Sequence, residues 1–182
     1  TKWLSSIDIL KVMKQYENAY KCFEFIGPTP IDFDEPEYKT GKKCVWEELC
    51  NFDLEKEIEN NNSKIGIIFN LDKHTQGGSH WVGMFINIKK GEINFMDSYG
   101  DDPPVRIKKL TSRIIAQAKK IGRVFVSNIV NMRHQYSNSE CGMYCLHFII
   151  EQVKGKDWKY FNKMKIPDEK MKKLRKIYFN II

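Results

Sequence analysis

The sequence predicts a single α+β domain over residues 1–182 with a mainly antiparallel sheet. Three observations predict it. The length of 182 residues, with 42% hydrophobic and 29% charged residues, is typical of one soluble globular domain. Apolar residues recur at helical spacing near the start, in the middle and at the end of the chain, and three β-like runs lie between them. No run approaches the roughly 18 apolar residues of a membrane helix, so we expect no membrane association.

The first half of the chain reads as a helix, an irregular segment and three strands. Residues 5–20 carry apolar side chains at helical spacing after Ser5 and Ser6, either of which can cap the helix. Residues 27–43 begin with Gly-Pro-Thr-Pro and are rich in acids, which predicts irregular surface chain. Residues 65–70, 81–88 and 92–97 read as strands, with the last two joined as a hairpin through residues 89–91.

The second half reads as three helices and one strand. Residues 105–120 are amphipathic, residues 124–130 have the pattern of a buried strand, and a last helix starts at about residue 168 after Pro167. Residues 142–153 are apolar nearly all round, which predicts a central, buried helix.

The net charge of +7 is unevenly distributed. Residues 154–176 hold ten Lys and Arg against three acids, whereas residues 32–59 hold ten acids against four Lys. A basic segment of this kind is either the solvated face of a helix or a site for nucleic acid or an acidic partner. The charge alone does not distinguish these.

Five cysteines form no regular framework, and their number is odd: Cys22, Cys44, Cys50, Cys141 and Cys145. We therefore expect free thiols and a reducing, intracellular location.

Cys141 is the candidate nucleophile. It follows a polar loop and precedes Gly142 and the apolar helix, so it lies at a helix N-terminus, where the dipole and unpaired N–H groups favour a thiolate. A buried structural cysteine could occupy the same position. Cys145 lies one turn later and is better explained as a core residue.

His80 and Asp97 are the candidate partners of that thiol. His80 begins one strand of the predicted hairpin and Asp97 ends the next, so both lie at the same end, where a carboxylate can orient an imidazole. An unbulged three-residue loop would place them on opposite faces, and a bulge at Gly91 is one remedy. His134, next to Gln135, stays open as a substitute base.

A zinc site is disfavoured. Cys141, Cys145 and His147 cluster in the sequence, but a structural zinc site needs a second pair of ligands, and a buried helix is a poor host for the metal.

Taken together, these motifs resemble the clan CE cysteine peptidases, which comprise the Ulp/SENP proteases and adenain. The match consists of His80-Trp81, Asp97-Ser98, and a six-residue step from Gln135 to Cys141-Gly142. Residues 131–144 look most similar to the maturation proteases of large DNA viruses. The likeness is strong over residues 79–153 and weak around Trp3-Leu4.

The resemblance implies a papain-like, adenain-like fold in which the central helix starts at the nucleophile. It implies Cys141 as the nucleophile, His80 as the base and Asp97 as the residue that orients His80. It also implies that Gln135 and the backbone N–H of Cys141 form the oxyanion hole. Trp81 would roof a narrow slot that admits only glycine, with Trp3 as the opposing wall and Gly142 also facing substrate.

The resemblance leaves the substrate open between three readings. The first is a monomeric endopeptidase that processes viral structural precursors after glycine. The second is a protease that removes ubiquitin or a SUMO-like modifier, although Ser5-Ser6 stand where cellular Ulp proteases usually carry Asn-Asp. The third is a nucleic-acid-stimulated protease or binding module that uses residues 154–176. No metal or bound cofactor is implied beyond a DNA or peptide activator, since adenain uses DNA.

Overall fold

The computed structural model of the chain describes residues 2–180. Helices and a single sheet alternate along the chain, which confirms the predicted α+β class. In chain order the elements are α1 (Ser6–Ala19), β1 (Phe23–Pro30), α2 (Glu47–Cys50), α3 (Leu54–Glu59), β2 (Lys64–Asn70), β3 (Trp81–Asn87), β4 (Glu92–Met96), α4 (Val105–Lys120), β5 (Val126–Val130), α5 (Cys141–Val153), α6 (Tyr160–Lys163) and α7 (Asp168–Tyr178).

The five strands lie in the order β1-β2-β3-β4-β5. The central strands β2, β3 and β4 are antiparallel, whereas β1 and β5 join the two edges in parallel to their neighbours. Each parallel pair is joined by a connection that contains helices, as parallel pairing requires: α2 and α3 lie between β1 and β2, and α4 lies between β4 and β5.

Strand β3 shows how the sheet divides the core into two layers. Val82, Met84 and Ile86 pack on one face in a cluster with the buried side of α4, whereas Trp81 and Phe85 pack on the other face with α5. Helix α5 is buried along nearly its whole length between the sheet, α1 and α7. This confirms the predicted central helix, and it brings the start of α5 to Trp81, the first residue of β3.

The β3–β4 hairpin has a register that keeps His80 and Asp97 on one face. Asn87 pairs with Glu92, so the loop contains the four residues 88–91, and Gly91 adopts a positive φ of 67°. Extending the register by one pair beyond Gly83 and Met96 places Asp97 opposite Val82. Because Val82 is two residues from His80, both side chains leave the same face.

Strand β1 was missed, because it runs through residues 27–30, which the sequence predicted to be irregular. Its register shifts between Ile26 and Thr29. An edge strand tolerates proline because one side of it makes no ladder hydrogen bonds, and Pro28 and Pro30 lie in such a strand.

Two further expectations differ from the structure. Strand β5 is not buried at its start, since Val126 is 51% exposed; it is an edge strand, and only Val130 is fully buried. The five cysteines are also not all free, because Cys44 and Cys50 form a disulfide within the segment that links β1 to α3. Cys22, Cys141 and Cys145 are free.

Candidate active site

His80 and Asp97 lie in direct contact at the open end of the β3–β4 hairpin. The imidazole Nε2 is 2.7 Å from Oδ1 of Asp97, and the same oxygen accepts the backbone N–H of Tyr99 at 2.9 Å. Both side chains are largely buried, with 12% of His80 and 5% of Asp97 exposed. The Tyr99 ring stacks on the imidazole at 4.7 Å between centroids. His80 is therefore held at its edge by a carboxylate and at its face by a tyrosine.

The Cys141 thiol lies close to the same imidazole. Cys141 is the first residue of α5, is 1% exposed, and acts together with Asp97 to raise the pKa of His80. Because Nε2 is occupied by Asp97, Nδ1 is the nitrogen left for the sulfur. The structure thus brings the three residues together in the order sulfur, imidazole, carboxylate.

The environment of His80 strongly favours its charged form. Burial acts to lower the pKa of His80, but the hydrogen bonds and charges of Asp97 and Cys141 outweigh it and raise the pKa from 6.5 to about 9. An imidazolium at neutral pH beside a thiol at a helix N-terminus is the arrangement that stabilises a thiolate.

The Gln135 amide is locked in one orientation next to this group. Its Oε1 accepts a hydrogen bond from Ser98 Oγ at 2.6 Å, and its Nε2 donates to the backbone carbonyl of Ser137 at 2.8 Å. A carbonyl oxygen can only accept, so the amide nitrogen must face Ser137. One Nε2 hydrogen then remains to be donated to another group. Cys141 adds a second potential donor, because the first N–H groups of a helix have no intrahelical acceptor.

Helix α7 anchors the loop between Gln135 and Cys141. Asp168 accepts hydrogen bonds from the N–H groups of Tyr136 and Ser137, from Ser137 Oγ and from Tyr144 Oη, all at 3.0–3.1 Å. At the other end of the loop, Arg175 pairs at 3.0 Å with the fully buried carboxylate of Glu140, which precedes the candidate nucleophile. Both anchors come from residues that the sequence marked only as part of a basic helix.

Trp81, Trp3 and Gly142 pack together beside Cys141. The Trp81 indole donates to the carbonyl of Leu4 at 3.0 Å, and its ring stacks directly on Trp3 at 5.5 Å between centroids. A Cβ on Gly142 would lie 3.1 Å from Leu4 and 3.3 Å from Trp81, so Gly142 allows α5 to approach the N-terminal segment. No open slot separates the two indoles, because a chain between flat rings needs about 7 Å, twice the usual contact distance.

A cleft of about 520 Å³ leads up to this tryptophan pair. It is bordered by the start of α1, the end of β1 and the loop before His80, including Gly77 and Gly78. His74 in the same loop is held by the buried carboxylate of Asp32 at 2.6 Å. This contact fixes His74 at the wall of the cleft.

His134 and two residues of the basic segment are engaged in contacts with other groups of the chain. His134 is fully buried, with Nε2 2.8 Å from the carbonyl of Phe161 and Nδ1 accepting the N–H of Ile166, so neither nitrogen is available as a base. In the basic segment, Arg175 is committed to Glu140 and Lys172 pairs with Glu169. Nucleic-acid binding by the remaining lysines stays a prediction.

Sequence reasoning placed Ser98 in the motif but assigned no role to Ser98 or Tyr99, and it missed Asp168 as part of the site. Ser98 and Tyr99 directly follow Asp97, so their place in the motif was the available signal, whereas nothing near Asp168 in sequence indicated its partners. Among residues 2–180 no helix is long and apolar enough to cross a membrane, and no group of three or more acidic, His or Cys side chains could hold a metal ion.

Comparisons with known proteins agree with this geometry. The family described as "Ulp1 protease family, C-terminal catalytic domain" matches residues 13–182. The protein R355 of Acanthamoeba polyphaga mimivirus, which is named as a thiol protease, is 33% identical over 98% of this chain, and the chain spans 57% of that relative. The S273R protein of African swine fever virus, named a SUMO-1 cysteine protease, is 27% identical over the whole chain and 69% of its own length.

Solved structures show the same fold. The crystal structure of the African swine fever virus pS273R protease superposes with a TM-score of 0.79 at 24% identity, covering 96% of this chain and 66% of that one. The yeast Ulp1 protease domain, solved in complex with Smt3, superposes with a TM-score of 0.58 at 20% identity, covering 90% of this chain and 73% of that one. On the family match and these likenesses, the chain belongs to the Ulp1 protease family and contains its C-terminal catalytic domain.

Proposed function

We propose that this chain is a cysteine endopeptidase that cleaves proteins after glycine, with Cys141 as the nucleophile. The observation that carries the proposal is the single imidazole of His80 shared between the Asp97 carboxylate and the Cys141 thiol. In that position His80 can accept the thiol proton and later deliver it to the leaving amine.

The reaction follows from the positions of these groups. The Cys141 thiolate attacks the carbonyl carbon, and the developing oxyanion accepts hydrogen bonds from the free Nε2 hydrogen of Gln135 and the N–H of Cys141. The imidazolium donates its Nδ1 proton to the amine as the C–N bond breaks. Water then attacks the thioester with His80 as base, which releases the acid and restores the thiol. Asp97 keeps the imidazole in the tautomer that this sequence requires.

Glycine selectivity is supported by the packing around Trp81. The cleft is lined by Gly77, Gly78 and the Trp3–Trp81 stack, and Trp81 also lies against Gly142, next to Cys141. Substrate must either run along the face of this stack or separate the two indoles. In both cases the space beside the backbone is filled by a flat ring or by chain, so a Cβ on the residue before the scissile bond would meet steric resistance. Substitution of that glycine by alanine should therefore lower kcat/KM by 10²-fold or more.

Two protein substrates fit such a site. We favour a structural precursor cut at Gly-Gly-x or Gly-x-Gly-x, as in virus assembly, since the relatives R355 and S273R are viral proteins. Removal of a ubiquitin-like modifier is the second candidate, because S273R is named a SUMO-1 protease and Ulp1 is solved with Smt3. Activity probes based on ubiquitin and SUMO, tested beside short Gly-Gly-x peptides, separate the two. Labelling by a probe without peptide cleavage would reverse our preference.

The catalytic assignment is tested by paired cysteine variants. Cys141→Ala should abolish peptide cleavage with the fold retained by circular dichroism, whereas Cys22→Ala, which changes another free cysteine, should leave kcat/KM within twofold of wild type. Iodoacetamide near neutral pH should modify Cys141 fastest in the native protein. Cleavage that survives in Cys141→Ala would overturn the proposal.

A further inference from the structure

A row of alternating rings and cations extends outward from the catalytic histidine. The Tyr99 ring stacks on the imidazole of His80. The Arg133 guanidinium lies 5.3 Å from the centroid of the Tyr99 ring and 4.6 Å from the centroid of the Tyr136 ring. The Lys165 ammonium lies 4.1 Å from the centroid of the Tyr136 ring. Contacts of this length are attractive cation–π interactions. The row therefore places two positive charges on a surface that starts at the reacting imidazole.

Arg133 is held in place within this row. Its Nε donates to the backbone carbonyl of Gln135 at 2.9 Å, and its guanidinium lies against both tyrosines. Its backbone packs against the turn at Gly100, where a Cβ would lie 2.8 Å from the carbonyl of Asn131 and 3.1 Å from the nitrogen of Arg133. A fixed guanidinium loses little further conformational freedom when it binds a ligand.

The two terminal nitrogens of Arg133 have no carboxylate partner within residues 2–180. Asp97 is engaged by His80, and Asp168, which lies beside Tyr136, accepts its hydrogen bonds from the loop and Tyr144. Arg133 and Tyr136 are both exposed to solvent. The side chain thus presents a planar donor pair that matches a carboxylate.

The row lies away from the cleft. Trp3 and Trp81 border the cleft, and none of the four residues of the row borders it. If the segment before the scissile bond occupies the cleft, the segment after it starts at His80, which protonates the departing amine. Tyr99 covers the face of that imidazole, so the departing segment meets the row.

Resting on the proposed function, we propose that Arg133 is a specificity-determining residue that binds an acidic side chain of the substrate within the first three positions after the scissile bond. Lys165 adds to the positive field there without being a fixed donor. The preferred substrates would then combine glycine before the cut with aspartate or glutamate shortly after it.

The test is a series of peptides that share Gly-Gly before the scissile bond and carry Glu, Gln or Lys at the first, second or third position after it. At one of these positions wild type should cleave the Glu peptide at least tenfold faster in kcat/KM than the Lys peptide, with Gln between them. A tenfold ratio corresponds to about 1.4 kcal/mol. The preference should shrink in 1 M salt, because the row is exposed and its charges are screened.

Variants assign the preference to Arg133. Arg133→Met should bring the Glu/Lys ratio close to one, and Arg133→Glu should invert it. Arg123→Glu is the matched control, since it makes the same charge change on an exposed residue before β5, at the other end of the sheet, and should keep the wild-type ratio. Ratios are compared within each enzyme, so a change in overall activity does not affect them.

The outcomes separate this inference from the proposed function. Cleavage of the Gln peptides by wild type but not by Cys141→Ala tests the proposed function alone. Equal rates for Glu, Gln and Lys peptides at all three positions, or a Glu preference that persists in Arg133→Met, would overturn the role of Arg133 and leave the protease assignment standing.

Discussion

Replacing Asp97 by Asn should shift the alkaline limb of the activity profile to lower pH. In the native site the pKa of His80 rises from 6.5 to about 9, although burial alone would lower it. The difference corresponds to roughly 3 kcal/mol in favour of the imidazolium, and the contributions of Asp97 and Cys141 together exceed it because burial opposes them. The amide of Asn keeps the shape of the carboxylate but removes its charge, while burial and Cys141 remain.

The size of the shift follows from the 2.7 Å contact. An opposite charge at this distance commonly moves a pKa by about 1–3 units, so the alkaline limb of kcat/KM should fall from near pH 9 to about pH 6–8 in Asp97→Asn. The maximal kcat should fall as well, because the amide favours the wrong imidazole tautomer, but less than in His80→Ala. Folding stability should depend on pH for the same reason. The raised pKa of His80 contributes its full stabilisation of the folded state below pH 6.5, and this contribution is lost as the pH rises through about 9.

The assay is cleavage of a fluorogenic Gly-Gly peptide between pH 5.5 and 10, with iodoacetamide modification of Cys141 followed over the same range. Asp101→Asn is the control, because it removes an exposed carboxylate four residues away that has no ion pair with His80. An alkaline limb at the same pH in Asp97→Asn and wild type would refute the reasoning and move the search for the orienting carboxylate to Asp101 and Asp102.

Four further changes should have separable effects. Gln135→Ala should lower kcat by 10²–10³-fold, about 3 kcal/mol of transition-state stabilisation, with unchanged iodoacetamide modification of Cys141; a raised KM alone would make Gln135 a substrate-binding residue. Asp168→Asn should also slow peptide cleavage more than alkylation, since it loosens the loop that carries Gln135, whereas Glu169→Gln should change neither; equal loss of both rates would contradict this. Trp81→Ala should lower activity but relax the preference for glycine over alanine before the cut, as measured by the ratio of kcat/KM. Burial lowers the pKa of His147 to about 3, so below pH 6.5 the unfolded state binds a proton at this residue that the folded state does not. Relative to wild type, His147→Leu should therefore gain about 2 kcal/mol of folding stability on going from pH 8 to pH 5, as measured by urea unfolding at the two pH values.

Elements that are long and periodic were predictable, whereas edge strands were not. Helix α4 has the predicted bounds of 105–120 because its buried residues repeat at helical spacing. Strand β1 contains Gly27, Pro28 and Pro30, which locally favour a turn, and only its pairing with β2 makes it a strand. The Cys44–Cys50 disulfide likewise lies in a segment with no periodic pattern to place it.

The candidate site was predictable where its residues belong to one motif and not where contacts span the chain. Cys141, His80 and Asp97 could be named because each lies at the end of a predicted element. The loop length of the hairpin, on which their common face depends, was ambiguous from the residues alone. Asp168 is 31 residues from Ser137, and no local pattern encodes a contact of that separation.

The turn after β4 couples the proton-transfer group to the oxyanion donor. Within three consecutive residues, Asp97 holds His80, Ser98 orients the Gln135 amide, and Tyr99 stacks on the imidazole. The carbonyl of Ser98 also accepts the N–H groups of His134 and Gln135, both at 2.9 Å, which binds the turn to the segment that leads to Cys141. A displacement of this turn would therefore move the base and the oxyanion donor together. Ser98 therefore links the residue that orients His80 to the amide of Gln135, so that loss of its hydroxyl would loosen Gln135 without removing the Asp97–His80 contact.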